Sequence, residues 1–272
     1  LQAAQDAREG WLGIALTRGG MHDHGHHAVE GGAWTAWIPI LLMALVTFAY
    51  LLVTRLSGEH RDNRWDLRAL SFVAGMVLIS IATLPGVMQS AHADLRVHMV
   101  QHLLIAMFAP ILLVLAKPLT LTLQVLPVRA ARRVTAVLRS GAFSLLGHPF
   151  VAMILNTGGM FVLYLTPLYR ESLVDPYVHY LIHAHFLLAG YLFVWSVIGT
   201  DPVPHRPNHR LRISVLFLSI GLHAFLSKFM YAYLYPRNTH HSADQIREAA
   251  KLMYYWGDLS ELILVVIVFY IW

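Results

Sequence analysis

The chain has 272 residues, of which 57% are hydrophobic and only 13% charged, and its mean hydropathy is +0.56. A soluble domain carries about 25% charged residues, so a surface this poor in charge suits lipid and excludes an ordinary water-facing fold. The formal charge of +5 is explained by basic loops beside a membrane, not by a nucleic-acid partner.

Residues 1–33 are predicted to form an external segment. It holds the tract Met21-His22-Asp23-His24-Gly25-His26-His27, in which His22, His24, His26 and His27 are suited to loose capture of copper or zinc. Residues 34–272 are predicted to be one transmembrane domain. A bilayer-spanning helix needs about 20 apolar residues. Seven segments qualify: Trp34–Leu56, Leu67–Gln89, Val97–Ala116, His148–Leu168, Pro176–Gly199, Leu211–Tyr235 and Ala249–Trp272. Between the third and fourth, Val128–Ser140 sets Arg129, Arg132, Arg133 and Arg139 against Ala130, Val134, Val137 and Leu138. A basic face over an apolar one predicts an interfacial helix on the anionic inner leaflet.

Orientation follows from Lys and Arg in short loops. One side carries Arg55, Arg61, Arg64, Arg68, Lys117, Arg129, Arg132, Arg133, Arg139, Arg206, Arg210 and Arg212. The other carries Arg8, Arg18, Arg96, Arg170, Arg237, Arg247 and Lys251. The expected fold is an all-α integral membrane protein, a seven-transmembrane-helix bundle with the N-terminus outside and the C-terminus cytoplasmic.

There are no cysteines, which excludes disulfides and thiolate metal sites, but there are 17 histidines and 10 methionines. On the predicted topology, His98 and His102 lie four residues apart in the outer part of the third helix and share one face. Met99 and Gln101 flank them. His179 and His183 repeat the spacing on the fifth helix, while His185 points elsewhere. His223 falls about halfway along the sixth. Asp258 and Glu261 lie one turn apart at middle depth in the seventh, with Asp258 nine residues in, roughly 13 Å at about 1.5 Å per residue.

Ionisable side chains inside a membrane are costly and read as functional by default. Two histidine pairs offer four imidazole nitrogens to one metal. Methionines, among them Met88, Met160 and Met253 in predicted outer halves, add thioethers that favour Cu(I). The predicted ligands are therefore His98, His102, His179 and His183, then His223, supported by Asp258, Glu261, Gln101 and Met99. Asp258 needs a partner, and the helical rise favours His223 over Lys228. The competing reading leaves these histidines bonded to water and headgroups near helix ends. No nucleophile–base constellation is present, and a non-enzymatic protein is expected.

The motifs together resemble the polytopic CtaG-type cytochrome c oxidase assembly factors of bacteria. The likeness runs through His98-Met99-Val100-Gln101-His102, Lys117-Pro118, His148-Pro149, Tyr164 with Thr166-Pro167, and His179 with His183-Ala184-His185-Phe186. It continues in Asp201-Pro202, His223-Ala224-Phe225, Asp244-Gln245 and Met253-Tyr254-Tyr255-Trp256-Gly257-Asp258-Leu259. One stretch departs from the family pattern: Ile246–Lys251 is more helical and more charged than the small residues usual there. The resemblance implies a copper-handling factor in the bacterial plasma membrane that helps mature the copper centres of an oxidase. It would work with oxidase subunits in the lipid bilayer. Two rivals remain at this point: a membrane electron carrier with haem b held by paired histidines, and a structural subunit of a respiratory oxidase.

Overall fold

A computed structural model describes residues 35–56, 63–199, 201 and 207–271, and the described residues are helical or connecting, without a strand among them. Contacts separate Leu1–Thr35 from Ala36–Trp272, and the second unit is the one described below. The histidines of the 22–27 tract, and Arg61 and Arg206, lie outside the described residues.

Helix α1 spans Ile38–Leu56 and α2 Asn63–Ala82; α3 is the short Pro85–Ala93. The rod α4, Leu95–Leu115, is α-helical except for a π-helical turn at Leu104–Phe108. Three short helices follow, α5 (Pro118–Val125), α6 (Val128–Leu138) and α7 (Gly141–Leu146). Then come α8, Pro149–Leu165, with its own π-helical turn at Ile154–Gly158, and α9, Leu168–Val174. The long helices α10 (Pro176–Ile198), α11 (His209–Tyr233) and α12 (Ala243–Ile271) complete the bundle. Among the described residues, five helices are long and apolar enough to cross a membrane: α1, α4, α10, α11 and α12. Two bent pairs, α2–α3 at 53° and α8–α9 at 75°, raise the number to as many as seven if each is one span. The chain is thus an all-helical membrane protein.

The breaks follow from proline chemistry. The residue before a proline is pushed out of the α region, and Leu84, before Pro85, is at φ −55°, ψ 135°. The straight helix expected over 67–89 therefore ends at Ala82 and restarts in a new direction. Gln101 donates from Nε2 to the Ala82 carbonyl at 2.7 Å and lies 3.1 Å from Met88 Sδ, so a buried amide serves the backbone group freed by the bend. At the second bend Thr166, before Pro167, is also extended. Helix α12 starts six residues earlier than the expected 249. Ser242 and Gln245 cap it reciprocally: the Gln245 amide N–H donates to Ser242 Oγ, and the Ser242 amide N–H to Gln245 Oε1, both at 3.2 Å. The helix expected over Val128–Ser140 forms as α6, with Arg129, Arg132, Arg133 and Arg139 exposed; of its expected apolar side Leu138 is buried and Val137 is exposed. Arg212 is not a loop charge. It is buried in α11 and donates to the Val197 and Ile198 carbonyls, capping the end of α10.

The hub is α4, which contributes to all three apolar clusters of the bundle. By contrast α1 buries only Tyr50 and Thr54, and its exposed leucines suit lipid. The tightest approach onto α4 is at Gly190 of α10, where a Cβ would stand 2.3 Å from the Ala106 carbonyl oxygen in the π turn. Pro110 explains the turn's position: it has no N–H for the Ala106 carbonyl four residues back, and its ring would crowd that oxygen. Because the obstructing atom is backbone, Gly190→Ala must push α10 off α4. We expect it to cost about 1–3 kcal/mol, the usual scale of overpacking, read as a lower thermal midpoint in detergent. Gly221→Ala, in the interior of α11 where a Cβ meets open space, should not lower the midpoint.

Candidate metal centre

Three helix ends meet at one end of the bundle. Asp94 caps α4 by accepting the Arg96 amide at 2.9 Å, which puts His98 one turn in and His102 two. Asp175 caps α10 in the same way through Tyr177, and Pro176 at the first helical position is preset for the turn. That places His179 and His183 one and two turns in. The last turn of α3 adds His92.

These side chains form one imidazole cluster. The His92 ring stacks on His179 at 4.5 Å between centroids, and His179 lies 4.4 Å from His183. His98 faces both His179 and His183 at 6.1 Å. Tyr164 and Tyr169, both fully buried, wall the cluster against His98 at 6.2 and 4.9 Å. Tyr169 also reaches His241 in the loop before α12, with Oη 3.0 Å from Nε2.

Backbone contacts set the tautomers of two rings. His92 Nδ1 lies 2.7 Å from the Met88 carbonyl and His183 Nδ1 lies 3.0 Å from the His179 carbonyl. A carbonyl oxygen only accepts, so each Nδ1 carries the proton and each Nε2 keeps its lone pair, the arrangement of a metal-ligating histidine. Both nitrogens of His179 and Nδ1 of His98 are buried without a hydrogen-bond partner among the described residues. Buried polar atoms are nearly always paired, so these three nitrogens are positioned to meet a water or a ligand.

One turn further along α4, His102 meets a thioether: Nε2 lies 3.1 Å from Met160 Sδ on α8. Phe186 packs edge-on to the same ring at 5.0 Å. The π turns flank this pair in sequence, the first beginning two residues after His102 and the second ending two before Met160. Such turns re-aim the side chains that follow and recur at functional sites.

Of the residues singled out in the sequence, His98, His179 and His183 come together. His102 adjoins them but makes its closest polar contact with Met160. His223 is in none of these ring contacts; it faces α12, where its Nδ1 lies 3.6 Å from Glu261 Oε2. Asp258 joins it, as the helical rise indicated, while Lys228 lies over the Tyr254 ring at 5.0 Å. The earlier start of α12 puts Asp258 fifteen residues from Ala243 (258 less 243), roughly 22 Å at about 1.5 Å per residue rather than the expected 13. Gln101 supports the α2–α3 bend, Met99 packs against Tyr164 Oη at 3.9 Å, and Met253 is core. His185 lies outside the cluster, with Nε2 3.0 Å from the Leu155 carbonyl in the α8 π turn. Sequence reasoning missed His92, which lies beyond the expected second span; Pro85, which re-aims the chain there, was its signal.

The fold and site define a polytopic helical membrane protein with an internal imidazole cluster beside a thioether. The chain belongs to the cytochrome c oxidase caa3 assembly factor family, whose sequence profile matches residues 31–272. It is similar to two uncharacterized proteins, one from Mycobacterium bovis and one from Mycobacterium tuberculosis. Each is 36% identical over 175 residues, covering 61% of this chain and 26% of the relative. An uncharacterized Mycobacterium leprae protein is 34% identical over 175 residues, 61% of this chain and 27% of its own. The chain thus aligns with about a quarter of the length of these relatives. No solved structure matches it.

His241, outside the helices, makes the site's rim sensitive to acid. Burial, then the neighbouring His240, lowers its pKa from 6.5 to about 4, against the opposing pull of Asp94 and Gln245. Above pH 6.5 the ring is neutral folded or unfolded and pH has no effect through it. As pH falls from 6.5 toward 4, the unfolded chain binds a proton that the folded one does not, and stability drops. We expect His241→Gln to flatten this limb of the stability–pH curve, measured by thermal unfolding at a series of pH values, and to leave the curve above pH 7 unchanged.

Proposed function

We infer that this protein is a copper-handling assembly factor that holds Cu(I) and delivers it to the copper centres of a caa3-type cytochrome c oxidase. It acts as a carrier and not as an enzyme. The observation that carries the reading is the donor set: imidazoles with a lone pair fixed by backbone contacts, next to a histidine–thioether pair. Among the described residues, no ion pair involves His92, His98, His102, His179 or His183. Neutral nitrogen and sulfur donors suit a soft monovalent ion better than a hard divalent one. Membership of an oxidase assembly family supports the destination.

In this reading each bent pair is one span, which gives seven. The α6 arginines lie toward the cytoplasm, so the N-terminus is outside, the C-terminus is inside and the cluster opens to the outer face of the bacterial plasma membrane. Copper would enter at His92, His98, His179 and His183 and pass inward to His102 and Met160. The external His22–His27 tract would collect it first.

Copper binding, an absorption spectrum, variant copper contents and topology reporters test this. Purified protein should bind Cu(I), and its absorption spectrum should lack a haem Soret band; the reverse result would favour the haem b carrier. His179→Gln or His183→Gln should each remove most of the cluster's copper, and the double variant should lose little more, because ligands of one ion are not additive. Met160→Leu should weaken retention and leave abundance unchanged. A reporter fused after Trp272 should read cytoplasmic, and one inserted near Asp23 external.

A further inference from the structure

The second concentration of chemistry lies on α11 and α12, apart from the imidazole cluster. The ligand atoms of His223, Asp258 and Glu261 all lie within 4.8 Å of one another. His223 is completely buried and Glu261 is 5% exposed. Neither ring nitrogen of His223 has a hydrogen-bond partner among the described residues, nor do Asp258 Oδ1 and Glu261 Oε2. The backbone makes room for the ring: a Cβ at Gly257 would stand 2.0 Å from His223 Cε1. The close approach therefore requires glycine at the residue preceding Asp258, and it presses the imidazole against the stretch of α12 that carries both carboxylates.

We propose that His223, Asp258 and Glu261 form a second cation site, built for a first-row divalent ion. Charge decides the valence. A carboxylate ligates a metal deprotonated and an imidazole ligates it neutral, so this donor set brings two negative charges to the ion, and a divalent ion leaves zero net charge, the least costly state in a low-dielectric interior. The donors point the same way, since one nitrogen and two carboxylate oxygens are harder than the imidazole–thioether set around His102. Three protein ligands leave a coordination position open. A cavity of about 20 Å³ adjoins Glu261, bordered by Ser260, Asn156, Thr157 and Met160. That is room for one water beside Glu261. The same cavity touches Met160, so the two sites are neighbours, and the second stands whether or not copper is the cargo of the first.

The test uses the full chain purified in detergent and Co²⁺ as an optical probe. Glu261→Gln, close in shape, should remove one equivalent of bound Co²⁺ with its d–d absorption, and adding His223→Gln should remove no further equivalent. The His179→Gln/His183→Gln double variant should keep that equivalent. Unchanged Co²⁺ binding in Glu261→Gln overturns the proposal, as does loss of the same equivalent in the His179/His183 variant, which would make the two sites one. Should the α12 variants fail to accumulate, the unaltered chain still decides. Electron paramagnetic resonance of bound Cu²⁺ must then contain a species coupled to a single imidazole nitrogen, and spectra in which every species couples to two or more overturn the site.

Discussion

A backbone carbonyl that loses its helical partner inside a bilayer has no water to turn to, so every break in a membrane helix must be answered by a side chain or by a neighbouring helix. This bundle breaks its helices repeatedly, and the answering groups are on hand. Gln101 serves Ala82 at the first bend, Arg212 serves the end of α10, and Tyr50 Oη donates to the Ala116 carbonyl where α4 ends. His185 Nε2 meets the Leu155 carbonyl in the α8 π turn, and Ser71 Oγ adds a second donor to the Leu112 carbonyl, which already accepts the Ala116 amide. These residues hold the fold through the backbone. Other interior polar residues, His179, His98, His223 and Glu261, retain unpartnered atoms among the described residues.

The breaks also aim the site's side chains. In a regular helix each residue turns the next by about 100°, so one extra residue in a π turn rotates everything beyond it by that amount. The turn at Ile154–Gly158 precedes Met160 and sets which residue of α8 faces His102. The bend at Pro85 does the same for His92, bringing the last turn of α3 back over the start of α10. Gly190 holds α10 against the α4 π turn, where the chain is least regular and a side chain would not fit. Helix irregularity here is thus a means of convergence: four straight helices would present their histidines at unrelated angles.

How much of this was legible beforehand depends on the range of the signal. Apolar segment length revealed the helices, and the arginine periodicity of Val128–Ser140 revealed α6, because both are local. The i,i+4 pairs correctly marked α4 and α10 as the histidine-bearing faces. Prolines announce a break but not its angle, so the second span was read as straight and His92 was left out. The start of α12 was hidden for another reason: its charged first turns, Arg247, Glu248 and Lys251, interrupt an apolar run, while the Ser242–Gln245 box that starts the helix is a polar signal. Met160 was legible only as one soft donor among several. Its contact with His102, 58 positions earlier, lies across two π turns, of which Pro110 marks the first and no proline marks the second.

The Asp258 question shows what rise alone can settle. Counting from a helix start that was six residues late gave the wrong depth but the right neighbour, because the depth of His223 on α11 and of Asp258 on α12 is fixed by packing between the two helices and not by either end. Gly257 carries that packing: it lets the His223 ring lie against the α12 backbone, and the carboxylates at 258 and 261 then flank the ring one turn apart. Lys228, five residues further along α11, has moved past them to the Tyr254 ring, where an aromatic face takes the place of a counter-ion. The lysine therefore leaves the two carboxylates uncompensated. Two carboxylates one turn apart, one buried and one partly buried, with no ion pair to a lysine or arginine among the described residues, are the arrangement that the proposed cation site answers from outside the chain.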